Sequence, residues 1–296
     1  MGGMTRFAER LVAAMRRTRS VAVVGFDPRP EQLPSEFAGA APAKAVAAFN
    51  RALLETVAPL ACAVKPNAAF YERLGPAGME ALADTLAEAR RLGVLTIADV
   101  KRCDVTDTAK AYAEWCAAWG CDAITASPWL GADSSLPYVE AGAAGGTGVF
   151  FLVKTSNPGS GEFQDRDVAG EPMFLHVARA VAKWGETSAR WSDVGAVVGA
   201  THPDQAARIR AAMPKTVFLV PGYGAQGGTA AGVRAACDAD GAGVVAVAGR
   251  SVAAAWTREP WKGQFGEKRW REAVAASLQA MNADLAAAGI SSDWRA

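Results

Sequence analysis

Histidine is almost absent from this 296-residue chain: only His176 and His202 occur, and they stand far apart. Two distant histidines do not readily assemble a metal triad or a Ser-His-Asp relay. Chemistry here must lean on Lys, Arg, Asp and backbone groups. Zinc-ligand spacing is lacking too. The five cysteines (Cys62, Cys103, Cys116, Cys121 and Cys237) include no CxxC pair. An odd count in a chain of this size predicts free thiols in a reducing compartment. Neither sign of charge is in excess, with 31 basic and 30 acidic side chains and a net charge of +1. That balance argues against nucleic acid or an anionic membrane as the main partner. Long apolar runs are missing as well: stretches such as 196–200 and 244–248 fall far short of the roughly 20 residues a membrane span needs. The N-terminal MGGMTRFAERLVAAMRRT has an amphipathic period with charges throughout. It lacks a basic tip followed by an apolar run, so no signal peptide is read and a cytoplasmic protein is expected.

Apolar residues make up 51% of the chain, enough for a large core. Short apolar runs rich in Val, Ile, Leu and Ala occupy 21–26, 61–65, 94–99, 123–126, 149–153, 195–199, 217–220 and 244–248. Runs of this kind suit strands covered on both faces, as in a parallel sheet. Amphipathic stretches alternate with them at 43–57, 76–92, 107–119, 134–141, 172–184, 203–212 and 229–239, and a last helix is predicted over 269–288. Pro203 opens one helix and Gly93 closes another. Eight strands, each followed by a helix, predict a (β/α)8 TIM barrel with N-terminal and C-terminal helical extensions, as a single domain over 1–296. A doubly wound open sheet is the main alternative, which the count of eight disfavours. The longest irregular stretch, 156–171, follows the fifth strand, where a binding loop or lid belongs.

The most informative segment is TIADVKRCDVTDT, residues 96–108. Strand alternation puts Leu95, Ile97, Asp99 and Lys101 on one face, inward in a barrel. The strand therefore ends in a carboxylate and an ammonium at the rim where barrel active sites lie. Strand 1 ends at Gly25-Phe26-Asp27-Pro28 and strand 2 at Val64-Lys65-Pro66-Asn67. The resulting series Asp27, Lys65, Asp99, Lys101, Asp104 alternates in sign, so each charge favours its neighbours' ionised state. Such a series also suits a buried stabilising ion network.

A second constellation follows the last two strands. Pro221-Gly222-Tyr223-Gly224-Ala225-Gln226-Gly227-Gly228 comes after strand 7, and Gly249-Arg250-Ser251 after strand 8. Glycines let backbone N–H groups approach an anion, and Arg250 adds a bidentate charge. The loops after strands 7 and 8 are the usual phosphate position in these barrels.

Taken together, DVKRCD with Thr108, GFDP, VKPNAAFYE, VKTSNPGS, PGYGAQGG and AGRSV resemble orotidine 5′-phosphate decarboxylases, most closely the longer KPN-containing bacterial form. The resemblance runs from about Val21 to Ser251. It implies conversion of orotidine 5′-phosphate to UMP in de novo pyrimidine biosynthesis, without metal or organic cofactor, by a homodimer with shared active sites. By residue, it implies that Asp27 contacts the ribose and that Lys65 holds the ribose and the charged network. Asp99 faces the substrate carboxylate, and Lys101 delivers the proton to C6. Asp104 and Thr108 reach into the neighbouring subunit's site. Ser156 meets the pyrimidine, while Gln226, Arg250 and the adjoining Gly249 hold the phosphate. One departure is Cys103, where the family has a smaller residue, most often Gly.

Magnesium-dependent sugar-phosphate barrels such as 3-keto-gulonate 6-phosphate decarboxylase share the DxKxxD strand. They carry an acidic metal ligand at the end of strand 2, where this chain has Lys65. A cation there repels a metal. A catalytically dead phosphate-binding barrel would need the glycine turns and Arg250 but not the charged strand ends.

Overall fold

Runs of Val, Ala, Ile and Leu need cover on both faces, and in this protein they obtain it by closing on one another. The computed structural model describes residues 5–294. Residues 1–4, the start of the amphipathic N-terminal stretch, lie outside the described residues. Eight strands among those described form a closed parallel barrel: β1 (Ala22–Phe26), β2 (Ala63–Pro66), β3 (Leu95–Arg102), β4 (Ala123–Ala126), β5 (Gly148–Lys154), β6 (Val194–Val198), β7 (Phe218–Pro221) and β8 (Val244–Ala248). Closure is made by β8 on β1, with Ala22 opposite Ala246 and Val24 opposite Ala248. Every residue of β1, β2, β4, β6 and β8 is buried. The expected (β/α)8 barrel is therefore the fold.

The helical layer follows the sequence pattern closely: α1 (Phe7–Thr18), α2 (Pro42–Val57), α3 (Gly75–Arg91), α4 (Thr106–Ala118), α5 (Ala132–Gly145), α6 (Met173–Trp184), α7 (Pro203–Ala212), α8 (Ala230–Arg234) and α9 (Trp270–Ala287). Pro203 opens α7, and Gly93, with φ of 68°, turns the chain out of α3. The N-terminal extension closes the bottom of the barrel. Ala8 N–H and the Arg6 guanidinium both bond to Asp193, just before β6, and Arg10 pairs with Asp122, just before β4. Phe7 packs edge-on to Phe150 at 5.8 Å, into space that a side chain at Gly148 would fill. On the same end, buried Arg210 donates to four carbonyls, those of Met213, Thr216, Ala236 and Gly243, with its guanidinium 3.6 Å from the Phe218 ring centroid. The C-terminal extension α9 packs back on α2 through Trp270, whose ring lies 5.2 Å from Phe49.

Three segments differ from the sequence expectation. The stretch after β5, where a binding loop or lid is expected, is ordered rather than irregular chain. It contains a short helix, Gly161–Gln164, and a hairpin of Asp167–Val168 against Glu171–Pro172. Ala169 and Gly170 both have positive φ, which matches a two-residue hairpin turn to the strands' twist. At its root, buried Lys154 pairs with Asp165 at 2.7 Å, and Gln164 bonds Thr155 through both its amide groups. The helix after β7 stops at Arg234 instead of 239, because Asp238 folds a turn with Ala242 and the Arg234 guanidinium caps the Asp238 carbonyl. Finally, β3 extends to Arg102 through an irregularity. Ala98 pairs with Ile124 and Arg102 with Ala126, so four steps along β3 match two along β4.

Candidate active site

The strand ends converge on a cavity of about 520 Å³ at the C-terminal mouth. Asp27, Lys65, Asp99, Lys101, Ser156, Gln226, Gly249 and Arg250 all line it. Eight of the ten residues singled out from sequence thus share one space. Asp104 and Thr108 are not among its lining residues. They follow the end of β3, and the Asp104 carboxylate accepts from the amide of Val105 at 2.8 Å.

Asp99 is the hub. Its Oδ2 accepts from Lys65 and its Oδ1 from Lys101, and the Thr125 hydroxyl adds a third bond to Oδ1 at 3.2 Å. Burial alone raises the Asp99 pKa, but the two ammonium groups outweigh it and bring the carboxyl to about 2. The site therefore holds an ionised Asp99 carboxylate bonded on both sides by lysine side chains. The lysines are not equivalent. The Lys65 side chain is 9% exposed and Lys101 48%, so Lys101 is the more open of the two lysines lining the cavity.

Asp27 departs from the alternating series, in which each charge was expected to favour its neighbours' ionised state. Its Oδ1 is buried without a hydrogen-bond partner. Burial raises its pKa, partly offset by Lys65, Lys101 and Arg250, while the charge on Asp99 adds to the rise. A buried carboxylate oxygen with no partner suits a ligand hydroxyl.

Opposite the charged strands lie the glycine turns. Gly222, Gly224 and Gly227 have φ of 106°, 72° and 86°, a path that residues with a Cβ disfavour. Ser156 Oγ donates to Gln226 Oε1 at 2.9 Å, tying the stretch after β5 to the turn after β7. Tyr223 donates to Asp284 at 2.6 Å and fastens the same turn to α9. A Cβ on Gly25 would lie 3.1 Å from Gly249 Cα, a tight contact that a glycine at the mouth of β1 avoids. Arg250 and these turns line one side of the cavity, and Lys101 with Asp99 another.

Among the lining residues that sequence reasoning did not single out are Arg29, Phe70 and Thr125. Arg29 and Phe70 line the same cavity, with the guanidinium 5.1 Å from the ring centroid. Thr125 lies in β4 and is 1% exposed. Its only signal was a hydroxyl within the apolar run Ala123-Ile124-Thr125-Ala126.

A (β/α)8 barrel whose mouth joins a Lys-Asp-Lys cluster to a glycine-and-arginine cradle defines an enzyme scaffold for a phosphorylated ligand. A family model described as orotidine 5′-phosphate decarboxylase / HUMPS family matches residues 24–259, and the chain belongs to that family. It is 44% identical to the orotidine 5′-phosphate decarboxylase of Rhodopirellula baltica, over 95% of this chain and 99% of that protein. Identity to the enzyme of that name from Halobacterium salinarum is 42%, over 81% of this chain and 86% of that one. Among solved structures, the OMP decarboxylase of Leishmania donovani is similar at a TM-score of 0.79 and 32% identity, over 96% of this chain and 99% of that one. The UMP synthase of the same organism gives 0.80 and 34% over 97% of this chain, which spans 57% of that longer chain.

Proposed function

We propose that this chain decarboxylates orotidine 5′-phosphate to UMP in de novo pyrimidine biosynthesis, using its own side chains without metal or organic cofactor. The observation that carries this reading is the Lys65–Asp99–Lys101 cluster facing the same cavity as Arg250 and the glycine turns. Arg250, Gln226 and Gly249 hold the phosphate, Asp27 and Lys65 the ribose, and Ser156 the pyrimidine. The C6 carboxylate then lies against Asp99, which is ionised at any working pH. Loss of neutral CO2 breaks the bond from C6 to the carboxylate carbon and moves the negative charge, with the electron pair, onto C6, which has no adjacent carbonyl to delocalise it. The Lys101 ammonium stabilises that charge and transfers its proton to C6. A bound nucleotide that displaces water from around this ammonium strengthens the interaction.

The reading extends to a cytoplasmic homodimer of single-domain subunits, with Asp104 and Thr108 serving the partner's site. Val105, which directly follows Asp104, and Trp129 and Leu130, after β4, are exposed apolar side chains. Such side chains suit burial against a second copy. All five cysteines are free, which supports a reducing compartment. No helix among the described residues is long and apolar enough to cross a membrane.

The test is a spectrophotometric assay with orotidine 5′-phosphate, before and after exhaustive treatment with EDTA. Turnover that survives chelation and does not rise with Mg2+ or Zn2+ supports the assignment. Absence of turnover, or activity on a sugar phosphate restored only by a metal, overturns it.

A further inference from the structure

In the stretch where β3 and β4 fall out of register, one hydroxyl takes over from the backbone ladder. Regular pairing is present at Ala98–Ile124 and again at Arg102–Ala126. Between these pairs the amides of Val100 and Lys101 both donate to Thr125 Oγ1, at 3.0 and 2.9 Å. The same oxygen donates its proton to Asp99 Oδ1 at 3.2 Å. A hydroxyl has two lone pairs and one proton, and here all three are used. Lys101 has φ of 45°, in the left-handed region that a side chain with a Cβ disfavours. Something must hold it there, and its own amide is bonded to Thr125.

We infer that Thr125 is a positioning residue for decarboxylation: its hydroxyl holds Lys101 in a left-handed backbone turn and sets Asp99 Oδ1, so that the ammonium meets the cavity beside that carboxylate. The inference rests on the proposed role of Lys101 as proton donor. Regular strand geometry from Asp99 to Lys101 would carry the ammonium along a different path, because two residues of β3 are additional relative to β4. The residue acts through Lys101 and Asp99, and the phosphate, ribose and pyrimidine contacts come largely from other strands. Loss of the hydroxyl should therefore slow the chemical step and leave binding little changed.

The experiment compares Thr125→Val, Thr125→Ser and Thr125→Ala in the full-length enzyme, measuring kcat, KM for orotidine 5′-phosphate, UMP affinity and thermal unfolding. Thr125→Val keeps the shape but removes every hydrogen bond. It is expected to lower kcat on the order of 100-fold, the penalty of misplacing a catalytic group by about 1 Å, with KM and UMP affinity within about threefold. Thr125→Ser keeps the oxygen and should retain kcat within about threefold of the unmutated enzyme. A purely structural role would lower stability or the fraction of active sites without this split. If Thr125→Val does not fold, Thr125→Ala carries the test, and a near-normal kcat in it overturns the inference. Equal damage from Ser and Val also overturns it.

Lys101→Ala and the double variant separate this inference from the reading on which it rests. Thr125→Val should add no more than about threefold to the loss in Lys101→Ala, because coupled residues are not additive. Near-normal kcat in Lys101→Ala would refute the proton-donor role itself. An inactive Lys101→Ala beside a fully active Thr125→Val would refute only the positioning role.

Discussion

Asp104 follows Lys101 by three residues, yet only Lys101 lines the cavity. The irregular end of β3 turns the Lys101 ammonium onto Asp99, and the chain then leaves the barrel. The Asp104 carboxylate is not part of the cavity lining and accepts from the next amide at 2.8 Å. One short segment thus places one charge in the cavity lining and another outside it, which fits the expectation that Lys101 acts within the subunit and Asp104 on its neighbour.

Lys101→Ala should lower kcat by at least about 10³-fold while leaving UMP affinity within a few-fold. The lysine acts on charge that develops at C6 during reaction, whereas UMP is held by the phosphate, ribose and pyrimidine contacts. Single-turnover kinetics with isothermal titration of UMP separate the two quantities. Near-normal kcat would remove Lys101 from the mechanism.

Asp27→Asn should stabilise the fold while impairing catalysis. Burial raises the Asp27 pKa above its unfolded value, so the folded state favours the protonated form. Below about pH 4 the group is protonated in both states and the ionised carboxylate imposes no penalty. As pH rises through the folded pKa the penalty grows, and it is complete above it. Asn carries no charge, so its Tm should exceed that of the unmutated protein by a few degrees at pH 8. The difference should vanish below about pH 4. A Tm difference independent of pH would mean that the charge on Asp27 is not what destabilises the site.

Elements with strong local period were legible in sequence with little error. The expected ranges of β4, β8 and α7 coincide with the structure, since each depends on a continuous apolar run or a Pro start that is visible locally. What local period cannot carry is register between strands. Alternation placed Asp99 and Lys101 on one face, but the structure unites them through a left-handed residue and a shift against β4. Thr125 gave only the weak signal of one hydroxyl in an apolar run, because its role depends on the interruption of the ladder beside it. The stretch after β5 was read as irregular because its order comes from Lys154, Asp165 and Gln164 bonding across a loop. The charged strand ends and glycine turns were legible because polar residues where a barrel strand should stay apolar are conspicuous in any sequence.

Arg250→Ala should raise KM strongly for orotidine 5′-phosphate. Loss of one charge-assisted contact to phosphate should remove about 2–4 kcal/mol of transition-state stabilisation. The mutation should make little relative difference with orotidine, which lacks the phosphate. Comparing kcat/KM for both substrates in both proteins checks this. Equal damage to the two would assign Arg250 to structure instead.

Mixed dimers test the direction in which Asp104 points. Lys101→Ala and Asp104→Ala should each be nearly inactive alone. If Asp104 serves the partner's site, a mixed dimer carries both lesions in one site and neither in the other. Random reassortment makes about half of the dimers mixed, so roughly a quarter of all sites regain a full set of residues. Co-refolding the two variants should recover about that share of activity. Differential tags establish that mixed dimers have formed. If Asp104 instead served its own subunit, every site in a mixed dimer would still carry one lesion, and activity would stay at the level of the separate variants. The exposed apolar turn at Val105 supplies an independent check, because Val105→Asp should shift the protein toward monomer in sedimentation experiments. It should reduce activity in proportion, since Asp104 and Thr108 would then have no neighbouring site to complete.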